Sequence, residues 1–156
     1  MPAKRALTGA ALKPEQVFNG TWGELWVDGD YVAQITSCKI EVNLKYTAIS
    51  QVQKLQEGQK LTGIEMKGEM KMHKINSYMM NKISASVKEG KTPVATIISK
   101  ISDPDGVGTE QITCSGCKFD KLILADWEAG KNMEESYSFT FEDYEINESA
   151  TAEAAK

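Results

Sequence analysis

Strict alternation of apolar and polar residues dominates the middle of the chain. In "LTGIEMKGEMKMHK", residues 61–74, Ile64, Met66, Gly68, Met70 and Met72 fall on one side, and Glu65, Lys67, Glu69, Lys71 and His73 on the other. "CKIEVNLKY", residues 38–46, repeats the pattern: Ile40, Val42, Leu44 and Tyr46 alternate with Lys39, Glu41, Asn43 and Lys45. A repeat of two residues explains both runs and predicts two strands, each with one buried and one wet face. Between them, "TAISQVQKLQEGQKL" is polar and Gln-rich, with Gly58 near its end. Residues 47–60 are expected to form a short helix or a long hairpin loop joining two antiparallel neighbours. The connection is longer than a hairpin needs, which points to a separate task.

The flanking patterns extend this picture. In "GELWVDGDYVAQI" the pair Asp28-Gly29 separates two apolar-rich runs, a strong hairpin signal because both residues tolerate positive φ. "KINSYMMNKISASVKEGK" changes period: Ile75, Met79, Ile83 and Val87 recur every four residues, with Tyr78 beside them. This predicts one amphipathic helix, closed by Gly90 and Pro93 with Lys88 and Lys91 at its negative end. "VATIISKI" predicts a strand and "SDPDGVG" a turn. "TEQITCSGCKFDKLILADW" predicts a strand that Ser115-Gly116 bulges or bends. "SYSFTFEDYEI" sets Tyr137, Phe139 and Phe141 on one face and slips at Glu142-Asp143. The sum is about six strands and one helix, a mainly β (α+β) fold: a sandwich or barrel with the helix packed on one side. Residues 1–20 read as an extended arm, 21–147 as a single β-rich domain, and 148–156 as a flexible tail.

Composition narrows the function. The chain has 156 residues, 41% hydrophobic and 26% charged, enough for one domain with a real core. Its net charge of −4 argues against non-specific binding to nucleic acid. No apolar run approaches a membrane span, and no sustained apolar core follows the early positive charges of a would-be signal. Three cysteines exclude a fully paired disulfide framework within one chain, and a reducing site of synthesis such as a bacterial cytoplasm fits.

Candidate chemistry is sparse. His73 is the one histidine, and no neighbouring pattern marks a triad around it, so it reads as a surface residue. Cys114 and Cys117 have a metal-ligand spacing, and with Cys38 and His73 they make one conceivable Cys₃His zinc set. One knuckle instead of two favours thiols on a bent strand, one of them buried, and no metal. No phosphate-binding glycine loop, nucleophile elbow or zinc-protease motif is present. The expectation is a protein that is not an enzyme and uses no cofactor. The alternative is a small β-sandwich binding module for carbohydrate or protein, presenting Trp22, Trp26 or Trp127.

The order of the pieces resembles a known family. An arm leads into "FNGTWGELWVDGDYVAQITSCKIEVNLKY", then a long connection, "GQKLTGIEMKGEMKMHKINSYM", a helix and a β-rich second half. This is similar to the tail tube (core tail) proteins of phages, in the branch of Gram-positive prophages and contractile phage-tail-like bacteriocins. The resemblance covers roughly residues 15–147. It implies a tail-tube β-sandwich or barrel with one flanking helix, whose copies form hexameric rings stacked into a tube. Its partners would be itself, a sheath, a baseplate and tape-measure proteins, with DNA only as passing cargo in a phage, ions in a bacteriocin, and no stable membrane association. Its place would be a virion tail or phage-tail-like particle, made and assembled in the host cytoplasm. Lys39, Glu41, Asn43 and Lys45, with Glu65, Lys67, Glu69 and Lys71, would face the lumen. The 64–72 apolar face would pack on the subunit core toward the helix. Thr47, Ile49, Val52, Leu55 and Gln56 would reach neighbouring subunits or rings, as would the N-terminal arm.

Overall fold

A computed structural model describes residues 13–150. The strands are β1 (Gly23–Val27), β2 (Asp30–Tyr31), β3 (Ile35–Ile49), β4 (Gly58–His73), β5 (Ala95–Ile101), β6 (Glu110–Phe119), β7 (Glu134–Thr140) and β8 (Asp143–Glu148), with one helix, α1 (Tyr78–Lys88), between β4 and β5. All pairings are antiparallel, in the order β2-β1-β5-β6-β7-β4-β3, with β8 also on β6. The sheet is an open path and does not close on itself. About six strands were expected; there are eight, because the two-residue β2 and the segment after the slip at Glu142 both pair. The expected arm falls partly on residues 1–12 and the expected tail partly on 151–156, which lie outside the described residues; Glu148 still belongs to β8.

The alternation places side chains as anticipated only where something covers them. Gly68, Met70 and Met72 of β4 are buried beside Tyr137, Phe139 and Phe141, and Leu25, Val27, Ile97, Met79 and Ile83 join the same core. Gly68 sits opposite Phe139, and a Cβ there would lie 2.5 Å from the ring and 3.0 Å from the Lys39 carbonyl oxygen. The missing side chain lets the aromatic ring cover the strand. By contrast Ile64, Leu44 and Tyr46, assigned to the core by their parity, are about half exposed. The helix stripe is shorter than its spacing implies: Met79 and Ile83 are buried, whereas Val87 is exposed and Ile75 precedes the helix at 67% exposure. Gly90 closes the helix at φ +73°, with Gly90 N–H bonding Val87 O and Lys91 N–H bonding Ser86 O, the paired pattern of a Schellman cap.

β6 carries the bend expected at Ser115-Gly116. Ala95 faces Cys117 and Ile97 faces Cys114, so β6 has one more residue than β5 in this interval. Gly116 takes φ +67°, which admits glycine without strain. The extra residue brings Cys117 onto the core side together with Cys114, and both are fully buried. Beyond the bulge, Lys118 and Phe119 leave β5 and pair with β7, so one strand serves both halves of the sheet.

The β1–β2 hairpin is clasped to the helix by polar groups. Asp28 and Gly29 both have positive φ (50° and 85°), as the predicted tight turn requires. Tyr78 Oη donates to Asp30 Oδ2 at 2.8 Å, and one helical turn later Lys82 pairs with Asp28. Asp28 Oδ1 also accepts the Thr96 N–H at 2.8 Å. Burial works against the Asp28 charge, but the hydrogen bonds from Lys82 and Thr96 and the Lys82 charge outweigh it and hold the carboxyl below its ordinary value of 3.8. A lowered folded value means the contribution is fully present above the unfolded value and disappears as pH falls through the folded one. Asp28→Asn should therefore lower the unfolding temperature at pH 7, and the gap to the wild type should close in titrations below about pH 4, where an aspartate loses its charge. A gap that is the same at every pH would assign the loss to packing.

Candidate assembly surfaces

The wet face of the sheet is built from opposed rows of charge. In register, Lys39 faces Glu69, Glu41 faces Lys67, Asn43 faces Glu65, and Lys45 faces Gly63. Opposed residues of an antiparallel pair share a face, so six of the eight polar candidates meet as three cross-strand pairs, while Lys45 lies opposite Gly63 and Lys71 opposite Ser37. None is buried. β7 extends the face with Ser136, Ser138 and Thr140, opposite Lys71, Glu69 and Lys67. Ser136 Oγ donates to Glu69 Oε1 at 3.2 Å, and Lys39 Nζ lies 3.5 Å from Glu41 Oε2. At the far margin Lys118 pairs with Glu142 at 2.6 Å, and that hydrogen bond and charge hold the Glu142 carboxyl below the usual carboxylate range. A depression of about 510 Å³ is lined by Lys39, Glu41, Lys67, Glu69, Lys118 and Thr140 among others. Positive and negative side chains are interspersed throughout, so no run of one sign forms.

The second surface is the end of the β3–β4 hairpin. The expected 47–60 loop is shorter than its composition implies. Pairing continues to Ile49 opposite Gly58, there is no helix, and residues 50–57 alone turn the chain. The tip is held by Ser50 Oγ donating to Glu57 Oε1 at 3.3 Å, Lys54 N–H bonding Gln51 O, and Gln53 at φ +62°. Thr47 and Thr62 join their hydroxyls across the stem at 3.1 Å. Of the five candidates here, Thr47 and Ile49 lie on the stem of β3, and Val52, Leu55 and Gln56 on the turn. Val52 is 93% exposed and Leu55 fully so. The stem adds residues that sequence reasoning placed in the core or passed over. Leu44 faces Ile64, and Tyr46 faces Leu61 across a bulge between Lys45 and Tyr46, and all four are about half exposed. Among the described residues, the apolar face of the hairpin thus runs past the end of the core and is left about half exposed. The available signal was the length of the alternating runs, which exceed the usual five or six residues of a strand.

The remaining candidates are spread over several elements. Cys38 is exposed on β3, His73 is exposed at the end of β4, and Cys114 and Cys117 are buried. Among the described residues no group of three or more His, Cys, Asp or Glu side chains is placed to hold a metal ion. Burial pushes the Cys114 thiol up to about 11 and Cys117 to about 12, which leaves both protonated at neutral pH. Trp22 precedes β1, Trp26 lies on β1 with its ring 5.5 Å from that of Tyr31, and Trp127 is in the β6–β7 connection, so the tryptophans occupy three separate elements. Among the described residues no helix is long and apolar enough to cross a membrane.

Comparison with known proteins agrees with this architecture. The chain is 29% identical over 140 residues to the phage-like element PBSX protein XkdM of Bacillus subtilis (strain 168), covering 88% of this chain and 95% of that protein. Its fold matches a chain of the tube-terminating cap of the anti-feeding prophage, with a TM-score of 0.68 at 10% identity over 92% of this chain and 99% of the other. It also matches a chain of the sheath-tube complex of the extracellular contractile injection system PVC in its extended state, with a TM-score of 0.64 at 6% identity over 92% and 99%. The family model described as phage tail tube protein matches residues 10–148. The chain belongs to the phage tail tube protein family.

Proposed function

We propose that this chain is the repeating structural subunit of a tail tube. In this reading it forms hexameric rings that stack around a hydrophilic lumen, inside a contractile sheath and upon a baseplate, and it performs no catalysis. The observation that carries the reading is the hairpin: an ordered, well-paired strand pair whose apolar face and tip extend beyond the subunit core. A monomer gains nothing by exposing Leu44, Tyr46, Val52, Leu55, Leu61 and Ile64 in water, whereas a second copy covering them recovers that free energy. Association in rings would also cover the edge of β3, which has no pairing partner among the described residues.

The charged face supports a lumen. A passage for DNA, with a tape-measure protein threaded through it before ejection, must stay hydrated and must not grip phosphates. Successive lysines opposed by glutamates, as at Lys39–Glu69 and Lys67–Glu41, offer no continuous row of cations to displace the counterions of a duplex. The same neutral, wet face would serve a bacteriocin tube that passes ions. Negative-stain electron microscopy of the purified protein at rising concentration, alone and with baseplate, tests the reading. Hollow tubes of stacked six-membered rings are expected. A particle that stays monomeric with baseplate present, and saturates with a glycan instead, would establish the binding-module alternative.

A further inference from the structure

The segment ahead of β1 is fastened to the turn between β5 and β6. It forms two short 3₁₀ turns, Pro14–Gln16 and Gly20–Trp22, and neither contains a buried residue. Between them stand Phe18, which is half-buried, and Asn19. Asn19 N–H donates to Asp103 Oδ2 at 2.8 Å, and the other oxygen of that carboxylate accepts the Asp105 N–H at 2.9 Å. Gly106 N–H closes the turn on Asp103 O at 3.0 Å. Asp103 is buried, so these two N–H groups replace water around its side chain. The Phe18 ring lies over Gly106, where a Cβ would fall 2.7 Å from Cε1 and 2.9 Å from Cδ1. Gly106 does not have a positive φ, so the ring above it, and not its backbone, accounts for the glycine.

This fastening is specific but narrow. Its anchors on the turn are one aromatic ring and one charge-assisted hydrogen bond, whereas β1 just beyond it pairs with β5 along its whole length, from Gly23 to Val27. A segment that buries little surface opens at a lower free energy than the sheet that carries it. Gly20 and Gly23 flank the second turn and supply small residues where the chain can swing. Unseating residues 14–19 lengthens the chain that is free to move by up to about 20 Å. The arm expected to reach neighbouring subunits is therefore shortest while Phe18 is seated.

We infer that residues 14–22 are a releasable strap, keyed into the Asp103–Gly106 turn by Phe18 and Asn19, that restrains assembly while seated and lifts when a subunit joins a second copy. This rests on the tube reading and adds a restraint to it. If only lifted subunits join, the concentration needed for tubes rises by the factor by which seated subunits outnumber lifted ones. The test pairs hydrogen exchange of the free subunit with light scattering against concentration, for the wild type, Gly106→Val and Phe18→Ala. The first variant drives the ring out of its seat, and the second empties the seat without a clash; should one fail to fold, the other decides. In the wild type the Asn19 N–H should exchange at least about tenfold faster than the amides of β6. In both variants its protection should fall by a further factor of roughly ten with β6 unchanged, and the threshold for tubes should fall by the same factor. Asn19 exchanging in step with β6, or keeping its protection in the variants, overturns the strap. A lifted strap with an unchanged or raised threshold overturns the restraint and leaves the tube reading standing. A wild-type chain that enters neither tubes nor particles with baseplate present overturns the tube reading and the restraint with it.

Discussion

Replacing Val52 and Leu55 together with aspartate should leave the subunit folded and abolish tube growth. Both side chains are at or near full exposure in the monomer, so neither contributes burial to its stability, and the unfolding midpoint should move by no more than a degree or two. In a tube each would be covered by a neighbour. Burying a Val or Leu side chain contributes about 1.5–3 kcal/mol, so losing two removes about 3–6 kcal/mol per subunit before the cost of placing a carboxylate against apolar surface. That corresponds to roughly a 10²- to 10⁴-fold rise in the concentration needed to grow tubes. Light scattering against concentration, with circular dichroism as the control for folding, reads both quantities. Tubes at the wild-type threshold would show that the tip stays in water and that the hairpin has another use.

Replacing Glu65 and Glu69 with lysine should convert a passage into a trap. The substitutions set cations opposite Asn43 and Lys39 and beside Lys67 and Lys71. The folded subunit loses exposed cross-strand contacts and gains a like-charge pair at Lys39, each worth about 0.2–1 kcal/mol, so assembly should survive. The lumen would then present an unbroken row of cations, and phosphates would bind it by releasing counterions. Tubes of the variant should retain DNA at 50 mM salt and release it between about 100 and 200 mM, while wild-type tubes retain none at either. In an infectious particle, ejection should slow. Identical DNA retention by the two tubes would place this face away from the lumen.

The two predictions concern surfaces that differed in how openly the sequence displays them. The charged face is legible residue by residue. Lys39, Glu41, Asn43 and Lys45 alternate with apolar neighbours, and so do Glu65, Lys67, Glu69 and Lys71, because a strand turns successive side chains to opposite sides whatever surrounds it. The turn at Asp28-Gly29, the bend at Ser115-Gly116 and the stop at Gly90 are legible for a related reason: each requires a backbone conformation that few residues adopt readily. These are local consequences of covalent geometry, and they act before any tertiary contact forms.

Burial is a different kind of quantity. Ile64 and Met70 occupy the same side of one strand, yet Met70 is fully buried and Ile64 half exposed. Parity says which side a residue takes, but where that side is covered depends on distant segments that join the same core, among them Leu25, Val27, Ile97, Met79 and Ile83. The same holds for the helix, where Met79 and Ile83 meet the core while Val87 runs beyond it. Opposition of Lys39 to Glu69 also needs the register, which the pattern on either strand alone leaves free by steps of two residues. The sequence by itself determined the long alternating strands, their faces, the tight turns and the absence of recognisable catalytic motifs. The tertiary structure alone decided where the core ends. It thereby decided which apolar residues stay exposed, because coverage depends on chain segments far apart in sequence that meet only once the sheet has assembled.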